Sequence, residues 1–269
     1  MSVSTAFAVA RAEGRAALVG YLPAGFPSVD GAIDGLRAMV DAGCDVIEIG
    51  LPYSDPVMDG PTIQAAAQRA LDAGVRTRDV LRTVEAVAAT GTPTLVMTYW
   101  NPIERYGVER FAADLASAGG SGLITPDLTP DSGAGWIAAA DAHDLDKVFL
   151  VAPSSTDERI AMTTAACRGF VYAAAVMGVT GARATTSDLA GPLVARTKDA
   201  VQAQRSELPV GVGIGVSDGA QAAEVASYAD GVIVGSAFVR CLLDHDDPRE
   251  ALRALTALTE DLAEGVRRA

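Results

Sequence analysis

The sequence predicts an α/β fold, a (β/α)8 or TIM barrel that forms a single domain over residues 1–269. Short apolar runs rich in β-branched residues alternate eight times with longer stretches of helical periodicity. The length of 269 residues fits one such barrel, and no linker or low-complexity stretch divides it. An open doubly wound sheet would carry Gly-x-Gly-x-x-Gly after an early strand, whereas Gly211, Gly213 and Gly215 come late and with a different spacing.

Each predicted strand is a short, mainly apolar run. The eight runs cover residues 16–22, 46–49, 94–98, 123–125, 148–151, 170–174, 210–214 and 232–234. The predicted helices have apolar residues at helical spacing, and Gly43, Gly74 and Gly91 stop three of them. They cover residues 29–42, 62–73, 77–89, 108–118, 131–143, 187–204, 217–228 and 248–266, with one more from about residue 156 and a short one after Gly235.

The chain is acidic, with a net charge of −13 from 34 acidic and 21 basic residues. This charge argues against binding to nucleic acid or to an anionic membrane. Cys44, Cys167 and Cys241 are far apart and lack ligand spacing, so we interpret them as free thiols of a reducing compartment. The N-terminal residues lack the apolar segment of a signal peptide, and no apolar run has membrane length. We therefore expect a soluble, cytoplasmic protein.

The second predicted strand carries a single acid, Glu48, within an apolar run. Since strand side chains alternate, Ile47 and Ile49 should face one way and Val46 and Glu48 the other. Burying a carboxyl group without a partner is costly, and such groups cluster at functional sites. We therefore expect Glu48 to lie in the site.

Two further acids, Asp55 and Asp59, lie in the proline-rich loop after this strand. Each one alone could be a turn or capping residue. The two could also form a metal site with Glu48, but no histidine lies nearby and the calcium-binding spacing is absent. We therefore expect no metal.

Glycine-rich turns after the last two strands predict a phosphate site. Gly211 and Gly213 end strand seven, and Gly235 with Ser236 opens a short helix after strand eight. Backbone N–H groups and the helix dipole attract an anion at such a turn, and barrels bind phosphate there. The alternative is that these glycines serve only turns and close packing.

Other polar strand-end residues are candidates because barrel chemistry lies at the carboxyl ends of the strands. They are Tyr21, Tyr99, Asn101, Asp127, Tyr172 and the strand-six loop with Thr180 and Gly181. His143 and His245 lie on or beside helices, so proton transfer would depend on carboxyl groups and tyrosines.

The motifs at these strand ends resemble those of tryptophan synthase alpha subunits, in order along nearly the whole chain. The most specific is Ile-Glu-Ile-Gly-Leu-Pro-Tyr-Ser-Asp-Pro-Val-Met-Asp-Gly-Pro-Thr-Ile-Gln at 47–64. Also similar are Tyr-Trp-Asn-Pro-Ile at 99–103, Phe-Val-Tyr at 170–172, Gly-Val-Thr-Gly at 178–181, Gly-Val-Gly-Ile at 211–214 and Gly-Ser-Ala at 235–237.

This resemblance implies a lyase that splits indole-3-glycerol phosphate into indole and D-glyceraldehyde 3-phosphate. It implies that Glu48 is the general acid–base, that Asp59 accepts from the indole N–H, and that Tyr172 lies close to the acid. The full set of expected substrate contacts is Tyr21, Tyr99, Tyr172, Thr180, Gly181, Gly211, Gly213, Gly235 and Ser236.

The resemblance also implies a partner, the β subunit of an α2β2 complex, which uses pyridoxal phosphate to join indole with serine. No cofactor is then expected in this chain. In the family, closure of the loops after strands two and six is coupled to the partner, which makes Asp55 and Thr180 candidates for coupling. We expect Tyr53 in the first loop to be exposed.

Three alternatives stay open at this point. A lyase of the same fold that needs no partner would have the same residues. Another phosphate-binding barrel would be expected to use a lysine near a strand end, and none is present there. A non-catalytic regulatory subunit is disfavoured because both Glu48 and Asp59 are present. The chain also departs from the family at Thr125-Pro126, ahead of Asp127, which affects the indole pocket.

Overall fold

Nine parallel strands form the central sheet of the computed structural model, which describes residues 2–175, 187–213 and 215–268, apart from the side chains at 187 and 188. The strands are β1 (Ala17–Pro23), β2 (Val46–Gly50), β3 (Thr94–Met97), β4 (Gly122–Ile124), β5 (Asp146–Val148), β6 (Leu150–Val151), β7 (Val171–Ala174), β8 (Val210–Gly213) and β9 (Gly231–Val234). Their order in the sheet is β5-β4-β3-β2-β1-β9-β8-β7-β6.

The two edge strands, β5 and β6, are halves of one barrel strand that is interrupted only at Phe149. The first half pairs with β4 and the second with β7. The ladder continues across the interruption, since the carbonyl of Phe149 accepts from the N–H of Tyr172 at 3.1 Å. The sheet therefore closes as an eight-stranded barrel, and the predicted fold is confirmed.

Twelve helices lie in the described part of the chain. They are α1 (Val3–Ala12), α2 (Val29–Asp41), α3 (Pro61–Asp72), α4 (Thr77–Ala88), α5 (Trp100–Tyr106), α6 (Val108–Ser117), α7 (Ala134–Ala142), α8 (Asp157–Ala166), α9 (Ser187–Ala203), α10 (Gly219–Ala226), α11 (Ser236–Leu243) and α12 (Pro248–Gly265). Most match the predicted ranges to within a few residues, but α1 and α5 were not predicted. No helix in these ranges is long and apolar enough to cross a membrane.

The inside of the barrel is apolar at its amino-terminal end, where α1 closes it. Inward side chains from the strands form one cluster with α1. Phe7 of α1 stacks on Phe170, with ring centroids 5.4 Å apart. Gly231 leaves space for this ring, because a Cβ there would lie 2.7 Å from Phe7 Cε1. The amino-terminal end is thus a packed floor, and the site must open at the other end.

The alternation predicted for β2 is confirmed. Val46 packs in the inner cluster, whereas Ile47 and Ile49 pack in the outer layer between strands and helices. Glu48 has the parity of Val46 and therefore points into the barrel.

Candidate active site

Glu48 lies inside the barrel one layer above the apolar floor. It is 1% exposed, and its Oε1 is enclosed with no hydrogen-bond partner. In parallel register it stands beside Tyr21 on β1 and Leu95 on β3. No cation reaches it in the described part of the chain.

Burial alone raises the pKa of Glu48 from its ordinary value of 4.5 to about 8. Removing the group from water disfavours the charged form, and no hydrogen bond or cation offsets that cost. At neutral pH the side chain is therefore a neutral carboxylic acid. Such a group can donate a proton, and its conjugate base can take one back.

Asp59 lies half-buried in the loop after β2, and Tyr99 holds it there. The Tyr99 hydroxyl donates to Asp59 Oδ1 at 3.1 Å and accepts from the backbone N–H of Met58 at 3.0 Å. Burial raises the pKa of Asp59, and the hydrogen bond from Tyr99 opposes that rise. Burial is also the main reason that the pKa of Tyr99 is raised to about 12, so its hydroxyl stays protonated and can donate.

Tyr21 and Tyr172 face the same two acids. Burial raises the pKa of each hydroxyl well above its usual value, and the charges of Asp59 and Glu48 add to this in both cases. Both acids therefore lie near both rings. Gly50 and Gly213 make room for the ring tips, because a Cβ on Gly50 would collide with the Tyr21 hydroxyl and one on Gly213 with that of Tyr172.

A cavity of about 260 Å³ opens above this layer at the carboxyl ends of the strands. Asp59 and Tyr172 line it at one side, and Gly213, Gly235 and Ser236 at another. Its apolar wall is formed by Met58, Ile63, Met97, Pro126, Leu150, Ala174 and Ile233. The cavity thus combines an apolar wall, an acid and a set of backbone groups, and no lysine or arginine from the described ranges lines it.

The glycine end of the cavity lies at the start of α11. Gly235 is the N-cap residue, and no side chain caps the first turn. The first N–H groups of a helix have no partner within the helix, so they can serve an anion. Gly211 lies deeper, where a Cβ would meet Phe170 and Ile233 at 3.0–3.1 Å, and it does not line the cavity. Its assignment to phosphate, like that of Gly213, Gly235 and Ser236, stays a prediction.

Comparison with known proteins identifies the family. The model of the family described as tryptophan synthase alpha chain matches residues 7–267. The chain is 62% identical to the tryptophan synthase alpha chain of Acidothermus cellulolyticus over 99% of this chain and 97% of that one. It is 61% identical to that of Salinispora arenicola over 98% and 97%.

The chain belongs to the tryptophan synthase alpha chain family. The resemblance at 47–64 is thereby confirmed. Among solved structures, a chain of Mycobacterium tuberculosis tryptophan synthase has a TM-score of 0.90 and 55% identity, with 98% of each chain covered. The alpha subunit from Legionella pneumophila has a TM-score of 0.86 and 32% identity, with full coverage of both chains at 100%. As a member of this family, the molecule is an enzyme subunit.

Two other residues of the sequence prediction, Asp55 and Tyr53, lie in the loop after β2. Asp55 is exposed and accepts from the hydroxyl of Ser54. The expectation of an exposed Tyr53 is wrong: the residue is half-buried, since its ring packs 5.4 Å from that of Tyr99 and its hydroxyl accepts from Asn101. Thr180 and Gly181 lie outside the described residues.

Asp127 has a structural contact instead of a position on the cavity wall. Its two carboxylate oxygens accept from the N–H of Trp100 at 2.9 and 3.1 Å, which caps the start of α5. Pro126, beside it, lines the cavity, and Thr125 is buried. The departure from the family sequence thus places a rigid ring in the apolar wall.

Sequence reasoning missed the apolar wall and Gly215, which also lines the cavity. The sequence does contain a signal for part of the apolar wall. Met97 and Leu150 follow the inward residues Leu95 and Val148 by two positions, so strand parity points them inward. Ile63 could not be found this way, because it lies on α3.

Proposed function

We propose that this chain catalyses the aldol cleavage of indole-3-glycerol phosphate to indole and D-glyceraldehyde 3-phosphate. The observation that carries the proposal is the neutral, inward carboxyl group of Glu48, below a cavity that offers Asp59 on one side and free backbone donors at α11 on another. The cavity has an apolar wall for a flat ring and a cradle for an anion.

Glu48 supplies the proton chemistry in this proposal. Its neutral carboxyl group gives a proton to C3 of the indole ring, and the carboxylate that results takes the proton of the adjacent side-chain hydroxyl. As that carbon becomes the aldehyde, the electrons of the breaking carbon–carbon bond return to the ring. One proton is given and one is taken, so the enzyme group ends as it began.

Asp59 supplies charge stabilisation. Protonation of C3 places positive charge on the ring nitrogen, and a carboxylate that accepts from the N–H stabilises it. The Tyr99 hydroxyl and the Met58 N–H fix the loop that carries this carboxylate. An electrostatic group that is held in place costs no reorganisation during the reaction.

The phosphate end supplies binding energy through backbone donors. Gly235 and Ser236 start α11, whose first N–H groups lack a side-chain cap. Backbone donors and the helix dipole favour a phosphate even in a protein of net charge −13. Gly213 and Gly215 line the same cavity and add no side chain to it.

We also propose a β-subunit partner that receives the indole and holds pyridoxal phosphate to make L-tryptophan. Pyridoxal phosphate enzymes hold the cofactor through a lysine. The sequence has two lysines, and each has other partners. Lys147 pairs with Asp141, and Lys198 binds the carbonyl of Tyr228 and pairs with Asp230. Both lie away from the cavity, which fits a cofactor held by the partner.

An indole-release assay tests the proposal. The purified chain should release indole from indole-3-glycerol phosphate at a low rate, and a β subunit should raise that rate. Glu48→Gln should lower release at least about 10²-fold while thermal unfolding shows that the chain is still folded. Absence of indole with and without the β subunit would overturn the proposal.

A further inference from the structure

Tyr21 lies on the inside of the barrel, and its hydroxyl has no hydrogen bond to any described residue. The Tyr21 side chain is 8% exposed. By comparison, the hydroxyl of Tyr99, which holds the loop with Asp59, has two hydrogen-bond partners. Within the described part of the chain this hydroxyl of Tyr21 is therefore free to bond a ligand inside the barrel.

The ring of Tyr21 lies across the layer between the acid and the phosphate cradle. Its backbone is in register with Glu48 on the neighbouring strand. Its hydroxyl lies over Gly50, two residues beyond Glu48 on the same inward face, because a Cβ on Gly50 would collide with it. Its other edge lies at β9, where a Cβ on Gly235 would be 3.4 Å from Tyr21 Cδ1.

A substrate that reaches from the α11 cradle to Glu48 must therefore cross this ring. In the proposed substrate, the part between the phosphate and the indole is a three-carbon chain with two hydroxyl groups. The tip of Tyr21 lies on the Glu48 side, and the charges of Asp59 and Glu48 both act on it. The hydroxyl remains protonated, so it can donate to an oxygen near the breaking bond.

We propose that the Tyr21 hydroxyl is a specificity group that hydrogen-bonds the substrate hydroxyl next to the carbon–carbon bond that breaks. It recognises the hydroxylated chain, as distinct from the ring or the phosphate. Because it holds that hydroxyl near Glu48, it also positions the proton that the carboxylate takes. The inference rests on the proposed function, since it takes the substrate from there.

Binding of two ligands to non-reacting protein tests this assignment. The protein carries Glu48→Gln so that the substrate is not consumed. The ligands are indole-3-glycerol phosphate and an indole with the same three-carbon phosphate chain but no hydroxyls. Tyr21→Phe should weaken the hydroxylated ligand about 5- to 10-fold, the usual value of one neutral hydrogen bond, and leave the other within about 2-fold.

Tyr228→Phe is the matched control. It removes a tyrosine hydroxyl that has no partner in the described part of the chain, but in the turn before β9, at the amino-terminal end of the barrel. It should leave the dissociation constants of both ligands unchanged. Equal weakening of both ligands by Tyr21→Phe, or no weakening of either, would overturn the specificity role. If neither ligand binds before Tyr21 is changed, the proposed function itself fails, and the inference fails with it.

Discussion

The hydroxyl of Tyr99 joins two parts of the loop after β2, because it donates to the carboxylate of Asp59 and accepts from the backbone of Met58. Tyr99 itself is 4% exposed and lies at the end of β3. A fixed side chain on the rigid barrel thus determines where a carboxylate on an irregular loop lies. We therefore expect a change in this anchor to affect turnover through the position of Asp59.

Tyr99→Phe should lower turnover about 10-fold, since the loop loses its anchor while the apolar packing stays. The pKa of Asp59 should rise further, because the hydrogen bond that lowers it is gone and burial remains. Indole release measured against pH should then need a higher pH for full activity. Tyr53→Phe is the control: it removes only the bond to Asn101, and an equal loss there would contradict the special role of Tyr99. Asp59→Asn should cut turnover more severely than either.

Glu48→Gln should lower turnover at least about 10²-fold, because the amide keeps the shape but gives no proton. In the native enzyme, kcat/KM should fall as the pH rises through about 8, where the free acid loses its proton. Steady-state indole release across the pH range measures both effects. A Gln variant that turns over normally would remove Glu48 from the proton transfers.

The free energy of unfolding should also depend on pH because of Glu48, and the pKa shift determines the sign of that dependence. The folded pKa of Glu48, about 8, is above its ordinary value of 4.5. Below about pH 4.5 both states hold the proton, so the group has no effect. Between the two values only the unfolded chain releases it, so the free energy of unfolding falls by about 1.4 kcal/mol per pH unit from this group alone. Above about 8 the loss is complete and constant.

Glu48→Gln should therefore unfold at the same denaturant concentration as the native chain at pH 4 and at a higher one at pH 8. Chemical denaturation at several pH values measures the difference. A difference that does not grow with pH would mean that Glu48 is ionised in the folded chain at neutral pH.

Gly235→Val should raise the KM for the phosphorylated substrate about 10-fold or more by blocking the approach to the α11 donors. The fold should tolerate it, because a Cβ at this position meets Tyr21 and Ile63 only at 3.4–3.7 Å and the backbone φ is −125°. Indole, which has no phosphate, should bind as before. Parallel loss of both ligands would show damage to the barrel instead of to the anion site.

Addition of a β subunit should raise the lyase rate about 10- to 100-fold, within the usual range of coupling energies. A partner that binds the closed loop better would increase the fraction of chains with Asp59 in place. Asp55→Ala should reduce this gain more than the basal rate, because Asp55 is exposed on the loop and, among the described residues, bonds only Ser54. Asp199→Ala removes an exposed acid from α9 and should change neither rate. A basal rate that ignores a stoichiometric β subunit would contradict the coupling.

Much of the fold could be predicted because its signals are local. The inward position of Glu48 followed from strand parity in a five-residue strand. The break at Phe149 could not be predicted: Asp146 and Lys147 are polar and hid the start of β5, and their burial is understood only from the ion pairs with Arg168 and Asp141. Helix α5 was missed because Pro102 lies in its first turn, and Asp127 caps it from another loop.

Within the site, the sequence predicted which residues stand at the strand ends better than it predicted which side chains contact each other across the barrel. The sequence marks Tyr21, Tyr99 and Tyr172 as strand-end residues, but nothing local shows that Tyr99 bonds Asp59 while Tyr21 bonds no described residue. Gly213 and Gly211 look equivalent in sequence, yet only Gly213 lines the cavity, because Phe170 fills the space before Gly211. Such differences depend on neighbours that are distant in the chain.

The floor formed by α1 has a consequence for the order in which the chain folds. A helix of ten residues is marginal by itself in water, so α1 depends on its docking surface. That surface includes Phe170 and the space at Gly231, which lie far along the chain from α1. Residues 3–12 thus gain these contacts only when the strands that carry Phe170 and Gly231 are in place. Until then Phe7 and its apolar neighbours remain in water, and the barrel is a cylinder that is open at both ends.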